Sequence, residues 1–576
     1  MTFSEQGMPL ISAERESAEI PSPTERTAAS LDEQALYLHE EEDELYERQA
    51  GIDTRSIGYI IILTLVIGGL QLSWSTEFSN GTPFLLSTGM SKTVMSLVWI
   101  AGPLSGVLIQ PIIGLLSDSS KSPYGRRRPF MVGGSVFTIF SLMTLSWSKD
   151  IVNTLLGGFS NEGTNLIIQV LAVLMVYILD FSIGTVQASS RAFIVDNVPI
   201  HQQQGANAWA AIMIGVGNII GFILGSLNLP KLFPFFGNTQ FKSLCVFASL
   251  ALIVSVAVAC WFINERNANA NANELLDEQN DDKMTVKYLF VSTMRGIRRL
   301  SPQTRAVCNA EFFAWIGYFP MLFYATTYVG EIYFREVVAS NGGSVPPEQV
   351  DQIWEQATRY ASHALLYYSI VSLCANLILP VVIAPSHVED GGMHKQSATT
   401  RFTIKWLTLP RAWTLSHLWF AASMTVATMF IRTGTQATVM VATLGIPWAH
   451  ALWAPFALIA EDLGRMHVHG ESRYESEVGI VMGVHNVYVS LPQVLSSIAS
   501  SVLFKLMAKP RSQQAGTDNS ILWIFRLSGM VALAAAYAST KVKSGDELEM
   551  ASMAEAAETE HGQRRRRSRR GRGHGD

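Results

Sequence analysis

Apolar stretches of about twenty residues recur along this chain from Ile57 almost to its end, and that recurrence limits the fold more than any other feature. A helix of that length crosses a hydrocarbon core of roughly 30 Å with its backbone hydrogen bonds satisfied internally. Soluble domains carry about 25% charged residues. This chain has 15% charged and 48% hydrophobic residues, and its mean hydropathy is positive. One soluble globular domain is excluded, and an all-α protein of the lipid bilayer is expected.

Twelve spans are predicted to begin near Ile57, Val94, Pro129, Leu166, Ala206, Phe241, Ala306, Ser362, Leu415, Val439, Gly479 and Ile521. A polar stretch over 264–305, with an Asn/Ala run and the acids Asp277, Glu278, Asp281 and Asp282, separates six spans from six. The expected order is an acidic head (1–56), a six-helix half (57–263), a linker (264–305), a second six-helix half (306–540) and a basic tail (541–576). Head and tail have the composition of disordered segments. The tail run Arg564, Arg565, Arg566, Arg567, Arg569 and Arg570 either binds anionic lipid or is a solvated extension. In so apolar a chain it does not indicate a nucleic-acid partner. A polar segment precedes the first span, so no cleavable signal peptide is expected and that span doubles as the targeting signal.

Cytoplasmic loops are enriched in Lys and Arg. Lys121, Arg126, Arg127 and Arg128 follow span two; Arg295, Arg298, Arg299 and Arg305 end the linker; Lys395, Arg401, Lys405 and Arg411 follow span eight. All three loops fall on one side, which predicts a multi-pass protein, expected in the plasma membrane, with both termini cytosolic. The segment 330–361 is then extracellular, and its mixed polarity predicts a short amphipathic helix. The four cysteines stand apart, without the spacing of a metal site or a disulfide framework. No metal, no cofactor beyond a proton as coupling ion, and no catalytic nucleophile or phosphate-cradling loop is expected, so the chain does not read as an enzyme. Nothing in it speaks for or against self-association.

Two blocks carry a specific resemblance. The stretch Gly102-Pro-Leu-Ser-Gly-Val-Leu-Ile-Gln-Pro-Ile-Ile-Gly-Leu-Leu-Ser-Asp118, with Tyr124-Gly-Arg-Arg-Arg-Pro-Phe130, resembles the signature of sucrose transporters in the glycoside-pentoside-hexuronide:cation symporter family, a branch of the major facilitator superfamily. The block Leu179-Asp-Phe-Ser-Ile-Gly-Thr-Val-Gln-Ala-Ser-Ser-Arg-Ala-Phe-Ile-Val-Asp196 is similar to that family's fourth span. The resemblance implies the major facilitator fold, with two six-helix halves and a site between them that is exposed to each side in turn. It also implies that Asp180 binds the proton and Arg191 the sugar, and that Asp118 with Arg126, Arg127 and Arg128 forms a gate. Leu70-Gln-Leu-Ser73, Gly445-Ile-Pro-Trp-Ala449 and Gly483-Val-His-Asn486 agree with it. Two departures stand out. Plant members carry acids after a Phe-Pro-containing seventh span, where this chain has Tyr324-Ala-Thr-Thr-Tyr-Val-Gly330. Glu77 ahead of Thr82-Pro-Phe-Leu-Leu86 looks closer to the animal and fungal branches.

A carboxylate at mid-bilayer costs about 2.5–3.5 kcal/mol on insertion scales, so each one is paired, hydrated or protonated. Asp180, Gly184, Gln187 and Arg191 step by helical spacing and share one face. Glu77, with Trp74 and Gln71, is expected to line one cavity wall; Glu311 shares a face with Trp315 and Tyr318. Asp180, Glu77 and Glu311 are therefore the expected proton-coupling acids. Arg191, Gln187, Gln71, Trp74, Trp315, Asn486 and Gln493 are the expected sugar ligands, since aromatic faces stack on sugars while amides and charges take hydroxyls. The expected activity is proton-coupled import of an α-glucoside disaccharide, sucrose or maltose. A sugar sensor of transporter form, or a passive facilitator of another glycoside or a monosaccharide, remain as alternatives.

Overall fold

The computed structural model describes residues 54–118, 120, 122–156, 162–199, 202–263, 265, 295–298, 300–342, 345–384, 403–468, 474–507, 518–545, 547–548 and 550. The acidic head, most of the linker and the arginine-rich tail lie outside the described residues.

Apolar runs become helices where a cap starts them and a polar turn ends them. Helix α1 (Ile57–Thr76) opens on Ser56, whose Oγ accepts from the Tyr59 N–H at 3.3 Å. It continues through a five-residue π-turn, Glu77–Gly81, into Thr82–Ser87. Helix α2 is segmented: Lys92–Val98, Ala101–Leu104, a second π-turn at Ser105–Ile109, then Gln110–Asp118. Helices α3 (Arg128–Ser146), α4 (Glu162–Asn197), α5 (Gln203–Ser226) and α6 (Gln240–Phe262) complete the first half. The second half holds α7 (Pro302–Ser340), α8 (Pro347–Val382), α9 (Leu409–Ala422), α10 (Gly445–Val468), α11 (Tyr474–Met507) and α12 (Ser520–Ser539). A short helix, Gly434–Thr443, leads into α10.

Among the described residues, eleven helices are long and apolar enough to cross a bilayer, one fewer than the sequence predicts. The difference is α9. A third π-turn, Ser423–Ala427, interrupts it before Thr428–Phe430, and Arg411, Ser416 and His417 dilute its hydropathy. It packs against α10 and α12, so it belongs to the bundle all the same. The separate amphipathic helix expected within 330–361 does not form: α7 runs on to Ser340 and α8 already begins at Pro347. At 1.5 Å per residue, α7 is about 58 Å long and outreaches a bilayer core.

Small residues set the closest helix crossings. A Cβ on Gly217 of α5 would stand 2.7 Å from Gln71 Cβ on α1, so only glycine allows that approach. Across the halves, α5 packs on α8 and α2 on α11. The face carrying residues 122–127 and Ile263 is the linker side, and the opposite face is the far side. The halves are fastened chiefly toward the far side. Thr82 Oγ1 donates to Phe323 O (2.7 Å), Thr326 Oγ1 to Phe78 O (3.3 Å) and Ser501 Oγ to Thr93 O (2.9 Å). Lys92 Nζ, buried, reaches Glu331 at 2.5 Å and Asp518 at 2.9 Å. Above these contacts a cavity of about 870 Å³ opens on the far side, with Lys92, Lys149, Asp150, Glu331, Trp354 and Glu355 among its lining.

Candidate functional site

Asp180 sits midway along α4 and is 1% exposed; Glu77 opens the π-turn of α1 and is 4% exposed. The two side chains lie within hydrogen-bonding reach of each other. Among the described residues, none donates a hydrogen bond to any of their four carboxylate oxygens. Their surroundings explain why. Gly102 of α2 passes so close that a Cβ there would stand 3.9 Å from Asp180 Oδ2, and Ser105 spends its hydroxyl on the Asp180 carbonyl at 2.8 Å. Beside Glu77 is a void of about 10 Å³ walled mainly by Phe84, Leu85, Trp99, Leu142 and Phe241, at the lower limit for one water. The π-turn of α1 borders this void through Glu77 and Gly81, and that of α2 touches Asp180 through Ser105; such turns widen a helix and recur at functional positions.

Arg191 stands well apart from Asp180. Eleven residues of helix put them about 16 Å apart along the axis, and no contact joins them among the described residues. Arg191 is exposed on α4. Gln187 is half-buried between them. Gln71 is tied to α5: its Nε2 donates to Asn218 Oδ1 at 2.9 Å, and Ser75 Oγ donates to the same oxygen at 3.0 Å. Trp74 stacks on Phe78 at 5.5 Å. Asn486 Nδ2 donates to Gly106 O at 3.0 Å, joining α11 to α2, and Gln493 Nε2 donates back to Val489 O of its own helix at 3.0 Å.

In the second half, Glu311 is 1% exposed and accepts a hydrogen bond from Trp315 Nε1 at 2.6 Å. Trp315 meets Trp448 of α10 edge to face at 5.8 Å and Tyr318 at 6.2 Å. Behind Tyr318 lie Phe420 and His417 of α9. Arg305, at the start of α7, donates to the Leu300 carbonyl at 3.3 Å.

The gate residues meet acceptors that motif reading did not assign. Arg126 Nη2 and Arg127 Nε both reach Asp196 Oδ2 at 2.8 Å, at the end of α4, and Arg127 also donates to Ser117. The backbone N–H groups of Arg126, Arg127 and Arg128 converge on the Glu265 carboxylate, those of Arg127 and Arg128 at 3.0 and 2.9 Å. Gly125 makes that nest possible: its φ is +111°, and a Cβ there would run into Glu265. The side chain of Asp118 lies outside the described residues. Asp196 ends the very block that carries Asp180, and its position opposite the arginine cluster was the available signal; Glu265, at the linker's edge, offered none. Asn80, in the sequon Asn80-Gly81-Thr82, is buried.

Two helical halves joined face to face, with buried charge between and within them, define a carrier of facilitator type. The chain belongs to the Major Facilitator Superfamily, whose sequence profile matches residues 56–497. It is 36% identical to a general alpha-glucoside permease of Schizosaccharomyces pombe, over 84% of this chain and 93% of that protein. It is 26% identical to sucrose transport protein SUT1 of Oryza sativa subsp. japonica, over 83% and 88%, and 25% identical to sucrose transport protein SUC3 of Arabidopsis thaliana, over 83% and 86%. Among solved structures it resembles one from a study of proton dependent oligopeptide transporters (TM-score 0.53, 12% identity, 84% of this chain and 99% of that one). The nucleoside transporter NupG is comparable (TM-score 0.52, 12% identity, 84% and 98%). At such identities the likeness concerns the fold alone. The matched proteins are transporters, not enzymes.

Proposed function

We propose that this protein carries α-glucosides such as sucrose and maltose into the cytosol by alternating access, with Glu77 and Asp180 sharing the coupling proton. The similarity to an alpha-glucoside permease supports the substrate class. The observation that carries the coupling is the carboxylate pair, buried and without a donor from the described protein. Two unit charges about 4 Å apart repel by about 4 kcal/mol at an effective dielectric of 20. Each also loses its hydration in the membrane interior. One proton held between the two oxygens replaces that repulsion with an O–H···O⁻ hydrogen bond. The empty, deprotonated pair therefore resists occlusion, and the protonated pair permits it. Arg191 and Gln187, on the same face of α4 toward the linker side, take sugar hydroxyls, while Trp315 and Trp448 offer faces to the ring. Gln71, Asn486 and Gln493 reach substrate only after their helix contacts open. The linker side is the cytosolic side of the plasma membrane in this reading.

The test is uptake of labelled sucrose, maltose and glucose by a yeast lacking its own sugar carriers, at pH 5 and pH 7, with and without a protonophore. Concentrative uptake of an α-glucoside at pH 5, abolished by the protonophore, is expected. Equal uptake under all conditions would remove the symport claim, and uptake of none would favour a sensor.

A further inference from the structure

The buried acid of the second half has a different kind of partner. Glu311 faces no cation among the described contacts, and the donor it does have is an indole, Trp315 Nε1 at 2.6 Å, one helical turn away. That bond holds the ring's edge. Trp448 and Tyr318 then meet the indole at 79° and 83° between planes, bracing it from α10 and from its own helix. The indole stays partly exposed, while α7 itself is enclosed by α8, α10, α11 and α12. Its free surface therefore turns toward the interior of the carrier. A ring fixed at its polar edge and braced at its sides, with a surface left open, suits stacking on the apolar face of a pyranose.

We infer that Glu311 is a positioning residue: it fixes the plane of Trp315 as a stacking platform for the sugar ring, and it does not carry a second proton. The inference rests on the sugar-carrier reading above. The titratable groups around Glu311 are Cys308 and Tyr318 on α7; beyond Tyr318 come Tyr368 on α8, His417 on α9 and His450 on α10. They make the pH profile a useful control, because a proton carrier at this place would move it.

The experiment compares Glu311→Leu, Glu311→Gln and Trp315→Phe in the full-length carrier. Glutamine keeps an acceptor for the indole and cannot ionise. Loss of the acceptor is expected to raise KM for the sugar about tenfold with little change in maximal rate, the pattern of lost binding that is common to ground and transition states. Glu311→Gln is expected to rescue KM to within about twofold, with the pH profile and accumulation ratio of the wild type. In the Trp315→Phe background, which lacks the donor, exchanging Glu311 for Gln or Leu is expected to add nothing, as for two residues acting through one bond. Loss of accumulation or a shifted pH profile in Glu311→Gln would overturn the inference, as would an unchanged KM in Glu311→Leu. Should Glu311→Leu fail to fold, the Glu311→Gln and Trp315→Phe arms decide alone. The indole bond is read without transport by resonance Raman difference between wild type and Trp315→Phe. A free indole there overturns the positioning claim, whereas a bonded indole with no α-glucoside uptake overturns the carrier reading.

Discussion

Two buried carboxylate sites, one in each half, surround the same functional group in opposite ways. In the first half Glu77 and Asp180 face each other and, among the described residues, neither has a hydrogen-bond donor, which is the basis for proposing a shared proton there. In the second half Glu311 is as deeply buried, yet an indole N–H meets it and aromatic rings close around that indole. Burial alone therefore assigns no role to an intramembrane acid. The partner does: a second acid makes a place for a proton, and a rigid donor makes a fixed orientation.

The comparison breaks most readily at Asp180. Asp180→Asn leaves Glu77 with a neutral amide that donates permanently, so the pair no longer exchanges a proton; accumulation against a gradient should fall to background while sugar counterflow persists. Full concentrative uptake by this variant would end the proton assignment. Glu77→Gln perturbs the same pair from the side of α1 but leaves Asp180 able to titrate. A fall in accumulation of about tenfold is expected, on the scale of one perturbed interaction of about 1.4 kcal/mol, measured as the steady-state ratio of internal to external sugar. On the other side of the comparison, Trp315→Ala should raise KM by about tenfold, no less than loss of Glu311 does, and leave the accumulation ratio intact; a collapse of accumulation instead would mean that the halves do not divide the work.

The smallest effect concerns the seam that fastens the halves. Asp518 lies outside the spans; burial raises its pKa, but Lys92 and the hydrogen bond from the Ser520 backbone N–H outweigh that and hold it below the ordinary value. A carboxylate depressed in the folded state adds stability above its unfolded value, near pH 4, and loses it as pH falls through the folded value. Below about pH 4 the melting temperature of the wild type should therefore drop faster than that of Asp518→Asn, by a few degrees. Parallel curves in detergent would remove Asp518 from the account of the seam.

Most of the fold was legible because lipid leaves hydropathy little freedom, and α1, α3, α6 and α12 begin within a few residues of their expected starts. The failures have local causes. At 330–361 mixed polarity predicted a separate amphipathic helix, whereas α7 and α8 run on through most of that segment; α9, expected near Leu415, is present, but a π-turn and polar residues shorten its apolar run. Asp180 was legible as an acid in an apolar run, but its partner was not. Spacing within one helix reports a shared face, not a contact, and Glu77 stands on another helix. For Arg126 and Arg127 the charges were visible and the acceptors were not, because Asp196 and Glu265 arrive through tertiary packing. Gln71, Asn486 and Gln493 were visible as amides inside spans, and their use in helix contacts depends on neighbours that only the folded bundle supplies.

The central claim is that Glu77 and Asp180 hold the proton that moves with the sugar. It is tested most directly by recording pH outside de-energised cells or proteoliposomes when α-glucoside is added. The wild type should draw protons in with the sugar, and Asp180→Asn should still exchange labelled for unlabelled sugar with no proton movement. Sugar-driven alkalinisation of equal size in wild type and Asp180→Asn would contradict it.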